Sequence, residues 1–204
     1  MARRKSTRRA TRVIPISLGD QCLGRNNWKP SGEYFFHKAN FLSQVAANVS
    51  NDNFQIGPYF FPPRLNGQLY ADFIENQLPI LLEDVPLDVR AELIFQHDGA
   101  PAHFQRQVRN RLNIQFPERW MGRGGPIIWP PRSPDLNVLD YFVWGHIKSL
   151  VEHLRDGTEE EVCEGIVAAF DTITPDMANR ATRNIIQRAE ICIQEGGRHF
   201  EQLL

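Results

Sequence analysis

The chain has 204 residues, of which 42% are hydrophobic and 23% charged, and its formal net charge is −1 at pH 7. That length supports one good core with a small appendage, in an ordinary globular composition. No apolar run approaches the ~20 residues of a membrane span, and no secretory signal is visible. The cysteines Cys22, Cys163 and Cys192 are scattered and odd in number. They argue for a reducing compartment and against a disulfide framework or a zinc cluster.

The near-zero net charge hides an asymmetry, since Arg3, Arg4, Lys5, Arg8, Arg9 and Arg12 crowd the start with no acid before Asp20. Such an arm reads as a solvated tail, a phosphate-neutralising segment or a nuclear address, with a mitochondrial transit segment as a weaker match. Val13-Ile14-Pro15-Ile16-Ser17-Leu18 reads as a short strand that Pro15 confines to an edge. Residues 19–32 read as polar loop broken by Gly24, Pro30 and Gly32, and residues 34–49 show no convincing period. Ile56, Tyr59, Phe60 and Phe61 predict a strand interrupted at Gly57-Pro58 and closed by Pro62-Pro63. Asn66-Gly67 signals a tight turn. A helix is expected over 68–83, with Leu69, Phe73, Ile74, Leu78 and Leu81 near one face and a kink or break at Pro79.

Leu93-Ile94-Phe95 reads as a buried strand ending at His97 or Asp98. Phe104, Val108 and Leu112 then recur at spacing four on a basic helix carrying Arg106, Arg109 and Arg111 on other faces. Arg123-Gly124-Gly125-Pro126 reads as a loop and Ile127-Ile128-Trp129 as a strand, and Pro130, Pro131 and Pro134 delay the next helix. That helix carries Leu136, Leu139, Val143, Ile147, Leu150 and Leu154 on one stripe. Thr158 and Glu161 form a capping box for a helix to about Ile173. A last helix spans 175–194, with Ala178, Ala181, Ile185, Ala189 and Cys192 on a face and Gly196-Gly197 at its end. Strands alternating with helices over 54–154, then two helices, imply an α/β layered domain. The expected organisation is a basic, poorly defined segment over 1–53 and a folded domain over 54–204.

Two acids stand out. In open α/β sheets, ligands gather at the carboxyl ends of strands, and Asp98 sits at such an end beside Gly99, which permits close approach. Its bland reading is a turn-initiating Asp before a helix. Asp140 falls within ~40° of the inward stripe of its helix, where a carboxylate costs several kcal/mol without a cation or donors. Its bland reading is a first-turn acid favoured by the helix N-terminus, a role that Asp135 fits better. Together Asp98 and Asp140 favour a hard, oxygen-ligated metal such as Mg²⁺ or Mn²⁺. His97 and His103 flank Asp98 without the further ligands of a histidine metal site, so His103 reads as an orienting group or a helix-start residue. Trp120, Trp129 and Trp144 read mainly as packing, with Trp129 also suited to line a partner groove.

Three segments carry a resemblance: His97-Asp98-Gly99-Ala100-Pro101-Ala102-His103, Arg119-Trp120-Met121-Gly122-Arg123-Gly124-Gly125-Pro126, and Trp129-Pro130-Pro131-Arg132-Ser133-Pro134-Asp135-Leu136 through Asp140-Tyr141-Phe142-Val143-Trp144-Gly145. In this order they resemble mariner-type DNA transposases, from about Phe54 to the C-terminus. The resemblance implies a ribonuclease-H-like layered domain, with a mixed sheet flanked by helices and two C-terminal helices. It also implies three acids holding two metals for DNA hydrolysis and strand transfer. On that pattern Asp98 matches the second acid and Asp140 the third. It further implies DNA as partner, a nuclear location, dimerisation, and no membrane or small-molecule substrate.

The departures are as specific as the match. The family's first acid, in an apolar-Thr-Asp-Glu-type segment, has no clear counterpart; Asp20 comes after an apolar run, but the residues beyond it are wrong. The family's upstream helix-turn-helix region is also missing, so the expectation is a truncated or rearranged copy. Three readings stay open: a catalytically incomplete remnant that binds nucleic acid, an active enzyme completed by Asp20 or a partner chain, and a domesticated DNA-binding scaffold that dimerises through the C-terminal helices.

Overall fold

The structure is a computed structural model that describes residues 12–16, 40–46, 54–62, 64–130 and 133–204, with side chains from Ile56 onward in those ranges. The basic arm before Arg12, the 19–32 loop, Asp20 and Cys22 lie outside the described residues. Strands β1 (Arg12–Ile16), β4 (Leu93–His97), β5 (Trp120–Gly122) and β6 (Ile127–Ile128) form a parallel sheet in that order. Strands β2 (Asn40–Ala46) and β3 (Phe54–Phe61) form an antiparallel pair. Among the described strands β1 bonds only to β4, the edge position that Pro15 requires.

Strand β2 shows no period in the sequence, and its register explains why. The pairing with β3 shifts between Leu42 and Gln44, so a bulge breaks the alternation that would otherwise mark the strand. The same shift lies opposite Gly57-Pro58, and β3 runs through this pair rather than stopping there. Successive β3 side chains then serve two layers. Tyr59 and Phe61 pack with one core cluster and Phe60 with the other, as period-two alternation demands.

The first layer holds α1 (Gly67–Asp72), a π-helical turn (Phe73–Gln77), α2 (Leu78–Leu81), α3 (Leu87–Glu92) and α4 (Arg106–Gln115). Asn66 does not make the expected tight turn. It caps α1, its side chain accepting from the N–H groups of Gln68 at 2.9 Å and Leu69 at 3.0 Å. The π turn ends two residues before Pro79, whose missing N–H the helix accommodates by this change of winding rather than by a break. Phe73, Ile74 and Leu78 are buried as expected, whereas Leu69 is exposed and Tyr70 takes the inward place. Helix α3 has no clear signal in the sequence.

The second layer holds a π-helical turn (Leu139–Val143), α5 (Trp144–Val151), α6 (Glu159–Asp171) and α7 (Pro175–Gln194). The wide turn rotates the phase of the residues beyond it, so Val151 is buried while Leu150, expected on the inward stripe, is exposed. Helix α7 has the predicted bounds. Gly196 and Gly197, at φ 64° and 77°, close it in a Schellman motif, with the Gly197 N–H donating to the Cys192 carbonyl at 2.8 Å.

Helix α6 opens with the expected capping box. The Glu161 N–H donates to Thr158 Oγ1 at 3.2 Å, and the Thr158 N–H donates to Glu161 Oε2 at 2.7 Å. Thr158→Ala is expected to cost about 1 kcal/mol in urea denaturation; an unchanged midpoint would contradict the cap. No helix among the described residues is long and apolar enough to cross a membrane.

Candidate metal centre

Strand β4 is buried along almost its whole length, including Gln96 and His97, and releases the chain at Asp98. The Asp98 carboxylate closes the next turn on itself, since Oδ1 accepts from the Ala100 N–H at 2.9 Å. The same oxygen accepts from His103 Nδ1 at 2.7 Å. His103 is therefore an orienting group, fully buried behind the acid it holds. Its ring lies 5.0 Å from His97 in a near-parallel stack and 4.2 Å from Tyr70. Trp120 meets the His97 ring edge-on at 5.5 Å. Gly122 completes this packing, because a Cβ there would run into the His97 imidazole. The strand end that presents Asp98 is thus held by rings on several sides.

Burial alone would raise the Asp98 carboxyl. The His103 hydrogen bond and charge, the Ala100 N–H and His97 outweigh it, and the acid sits below its ordinary value. Burial lowers His97 well below the usual imidazole value, helped by His103 and opposed by Asp98. A depressed carboxyl stabilises the fold above its unfolded pKa of about 3.9, and that contribution is lost as pH falls through the lower folded value. His103→Ala removes the leading counterweight to burial, so the Asp98 pKa is expected to rise. Carboxyl titration by NMR checks this, and an unmoved Asp98 would refute the assignment.

Asp140 reaches the same region from the other layer. The chain passes Pro134 in a separate 3₁₀ turn (Pro134–Leu136) that holds Asp135. The helical run begins only at Leu139, so Asp140 rather than the expected Asp135 is the acid of its first turn. Buried Asn137 then organises the next start. Its Nδ2 donates to Asp140 Oδ2 at 3.0 Å, its Oδ1 accepts from the Leu139 N–H at 3.3 Å, and its carbonyl accepts from the Asp140 N–H at 2.9 Å. Sequence reasoning gives Asn137 no role, although an Asn one turn before an apolar helical run is an N-terminus signal. Asp140 lies in the π turn and is half-buried, facing a cleft rather than the core.

That cleft, of about 460 Å³, is lined by Asp98, Gly99, Arg123, Trp129, Asn137 and Asp140 among others. Arg123 is set at its wall by stacking, its guanidinium 4.2 Å from the Phe104 ring, with Arg109 4.8 Å from the same ring. Gly124, at φ 74°, brings the loop down onto Phe104 and Arg109. The two carboxylates are hard oxygen donors, and no thiol or imidazole lines the cleft among the described residues. That donor set fits Mg²⁺ or Mn²⁺ better than zinc or copper. A separate group at the surface, Asp135, His199 and Glu201, brings ligand atoms within 4.8 Å of one another.

No family model matches the sequence, and no curated protein matches it. Solved structures do match the fold. The crystal structure of the catalytic domain of Mos1 mariner transposase is 20% identical, with a TM-score of 0.58 over 93% of this chain and 84% of that one. The Mos1 strand transfer complex is 19% identical, with a TM-score of 0.62 over 93% of this chain and 56% of that one. The Mos1 paired-end complex with left transposon end is 24% identical, with a TM-score of 0.61 over 80% of this chain and 45% of that one. The parallel strands, the flanking helices and these superpositions agree: the chain has the ribonuclease-H-like fold of a mariner transposase catalytic domain.

Proposed function

We propose that the chain is a mariner-type, transposase-derived DNA-binding domain, the remnant of a metal-dependent cut-and-paste phosphoryl-transfer enzyme whose metal site lacks its first acid. The observation that carries this reading is the convergence of Asp98 and Asp140, from different layers, on one cleft. Solved structures of the same fold contain manganese, magnesium or transposon-end DNA, which supports a divalent ion and a DNA substrate. Asp98 and Asp140 hold the ion, His103 and Asn137 fix the two carboxylates, and Arg123 faces the phosphate of a bound strand. When bound, such ions activate the attacking oxygen and stabilise the leaving one. Among the described residues the carboxylates that line the cleft are Asp98 and Asp140.

A second reading is favoured by the strand pairing. Strand β1 runs parallel to β4 with Ile16 opposite His97, so its carboxyl end lies beside Asp98. Asp20 comes four residues later, outside the described residues. Nicking of supercoiled DNA in Mn²⁺ separates the two. The first reading expects DNA binding that weakens with salt but no robust cutting. Metal-dependent cutting lost in Asp98→Asn and in Asp20→Asn would replace it with the second reading, and cutting that survives Asp20→Asn would remove Asp20 from the site.

A further inference from the structure

The helical turn that carries Asp140 also carries Tyr141 and Phe142, and these two line a second groove, of about 610 Å³, closed on its other side by α7. One side of α7 lines it, at positions 177, 180, 181, 183, 184, 187 and 188, largely at the three-and-four spacing of neighbouring helical turns. Arg180, Arg183 and Arg188 belong to the lining, and no acid does among the described residues.

Arg188 is the unusual member. It is only 8% exposed. One guanidinium nitrogen donates to the Asp135 carbonyl at 2.9 Å, and the group lies 4.0 Å from the centre of the Tyr141 ring. Its Nε is buried without a hydrogen-bond partner, and among the described residues no carboxylate stands within ion-pair distance. Tyr141 supplies no counter-charge. Its hydroxyl donates to the Ala181 carbonyl at 2.6 Å, and burial pushes its pKa up to about 12 despite Arg188. An arginine held in a groove wall, 8% exposed and without an acid partner, carries a charge that an arriving anion would offset. Exposed Arg180 and Arg183 stand further along the groove, and the weak Arg180–Asp176 pair at 3.4 Å does not neutralise them.

We propose that this groove binds the phosphodiester backbone of duplex DNA, with Arg188 as its fixed charge and Arg180 and Arg183 bonded directly to phosphates. A polyanion suits it better than an isolated anion because three arginines and no acid line the one groove. The choice of a polynucleotide rests on the function proposed above.

The test uses the full chain with a short labelled duplex in EDTA, so that no metal contributes. Arg180→Gln/Arg183→Gln is expected to weaken binding roughly tenfold and to flatten the slope of log affinity against log salt by about 2, at roughly 0.9 for each phosphate no longer neutralised. Arg188→Lys keeps the charge but loses the fork, and is expected to weaken the duplex less than the double variant while retaining the fold by circular dichroism. Parent-like affinity and slope in the double variant would overturn the groove. So would equal, arginine-dependent capture of a polyglutamate peptide, which would mark an acidic-protein surface instead. Mn²⁺ binding, measured separately, keeps the two proposals apart. A parent chain that binds Mn²⁺ through Asp98 but no duplex refutes the groove and leaves the metal centre standing.

Discussion

Asp98→Asn is expected to lower Mn²⁺ affinity by more than about 100-fold while leaving the fold intact. Outer partners of a metal ligand already cost ~10–100-fold when removed, and a direct ligand costs more. The asparagine keeps the carbonyl oxygen that accepts from His103 and Ala100, so the turn closed by Asp98 has no reason to open. The substitution removes the charge and the second donor oxygen. Calorimetric titration of the parent and the variant measures the effect directly, with circular dichroism as the control for folding. Equal affinity in both proteins would remove Asp98 from the metal centre and leave only its turn-closing role. A parallel loss in Asp140→Asn, from a residue in the other layer, would tie both acids to one ion-binding cleft.

The largest stability effect is expected at Trp120. The residue is 1% exposed, its Nε1 donates to Asn113 Oδ1 at 2.8 Å, and its ring supports His97. Gly125 packs so closely on the indole that a Cβ there would clash with it. Trp120→Ala leaves a cavity between β5, α4 and the end of β4 that these rigid neighbours fill poorly. The expected cost is about 3–5 kcal/mol in urea denaturation, with Trp120→Phe costing less. Because His97 then lacks its edge-on support, Mn²⁺ affinity is expected to fall as well. A cost under about 1 kcal/mol would mean that the β5–β4 seam is looser than its packing indicates.

How far each feature can be read from the chain depends on the range of the interactions that make it. The end of β4, the cap at Thr158, the bounds of α7 and its closing glycines are legible because each depends on residues a few positions apart. Asp98 is legible as a strand-end acid for the same reason, whereas the inward phase expected of Asp140 does not hold, since it lies half-buried in a π turn at the cleft. Asn66 reads as a turn because turn and N-cap use the same residue chemistry, and only the helix beyond it decides between them. Strand β2 is hidden by its bulge, and the inward stripe of α5 is shifted by a π turn, both local irregularities set by packing against distant partners.

The sequence by itself determined most element types, the Thr158 cap, the basic helix and the two candidate acids, all from short-range propensity, periodicity and charge. The tertiary structure alone decided that Asp98 and Asp140 line one cleft, that His103 and Asn137 hold them, and that Arg188 is buried in the wall of a second groove with its Nε unbonded. Those facts depend on which layers pack together and in what register, and no local pattern encodes where two segments far apart in the chain will meet.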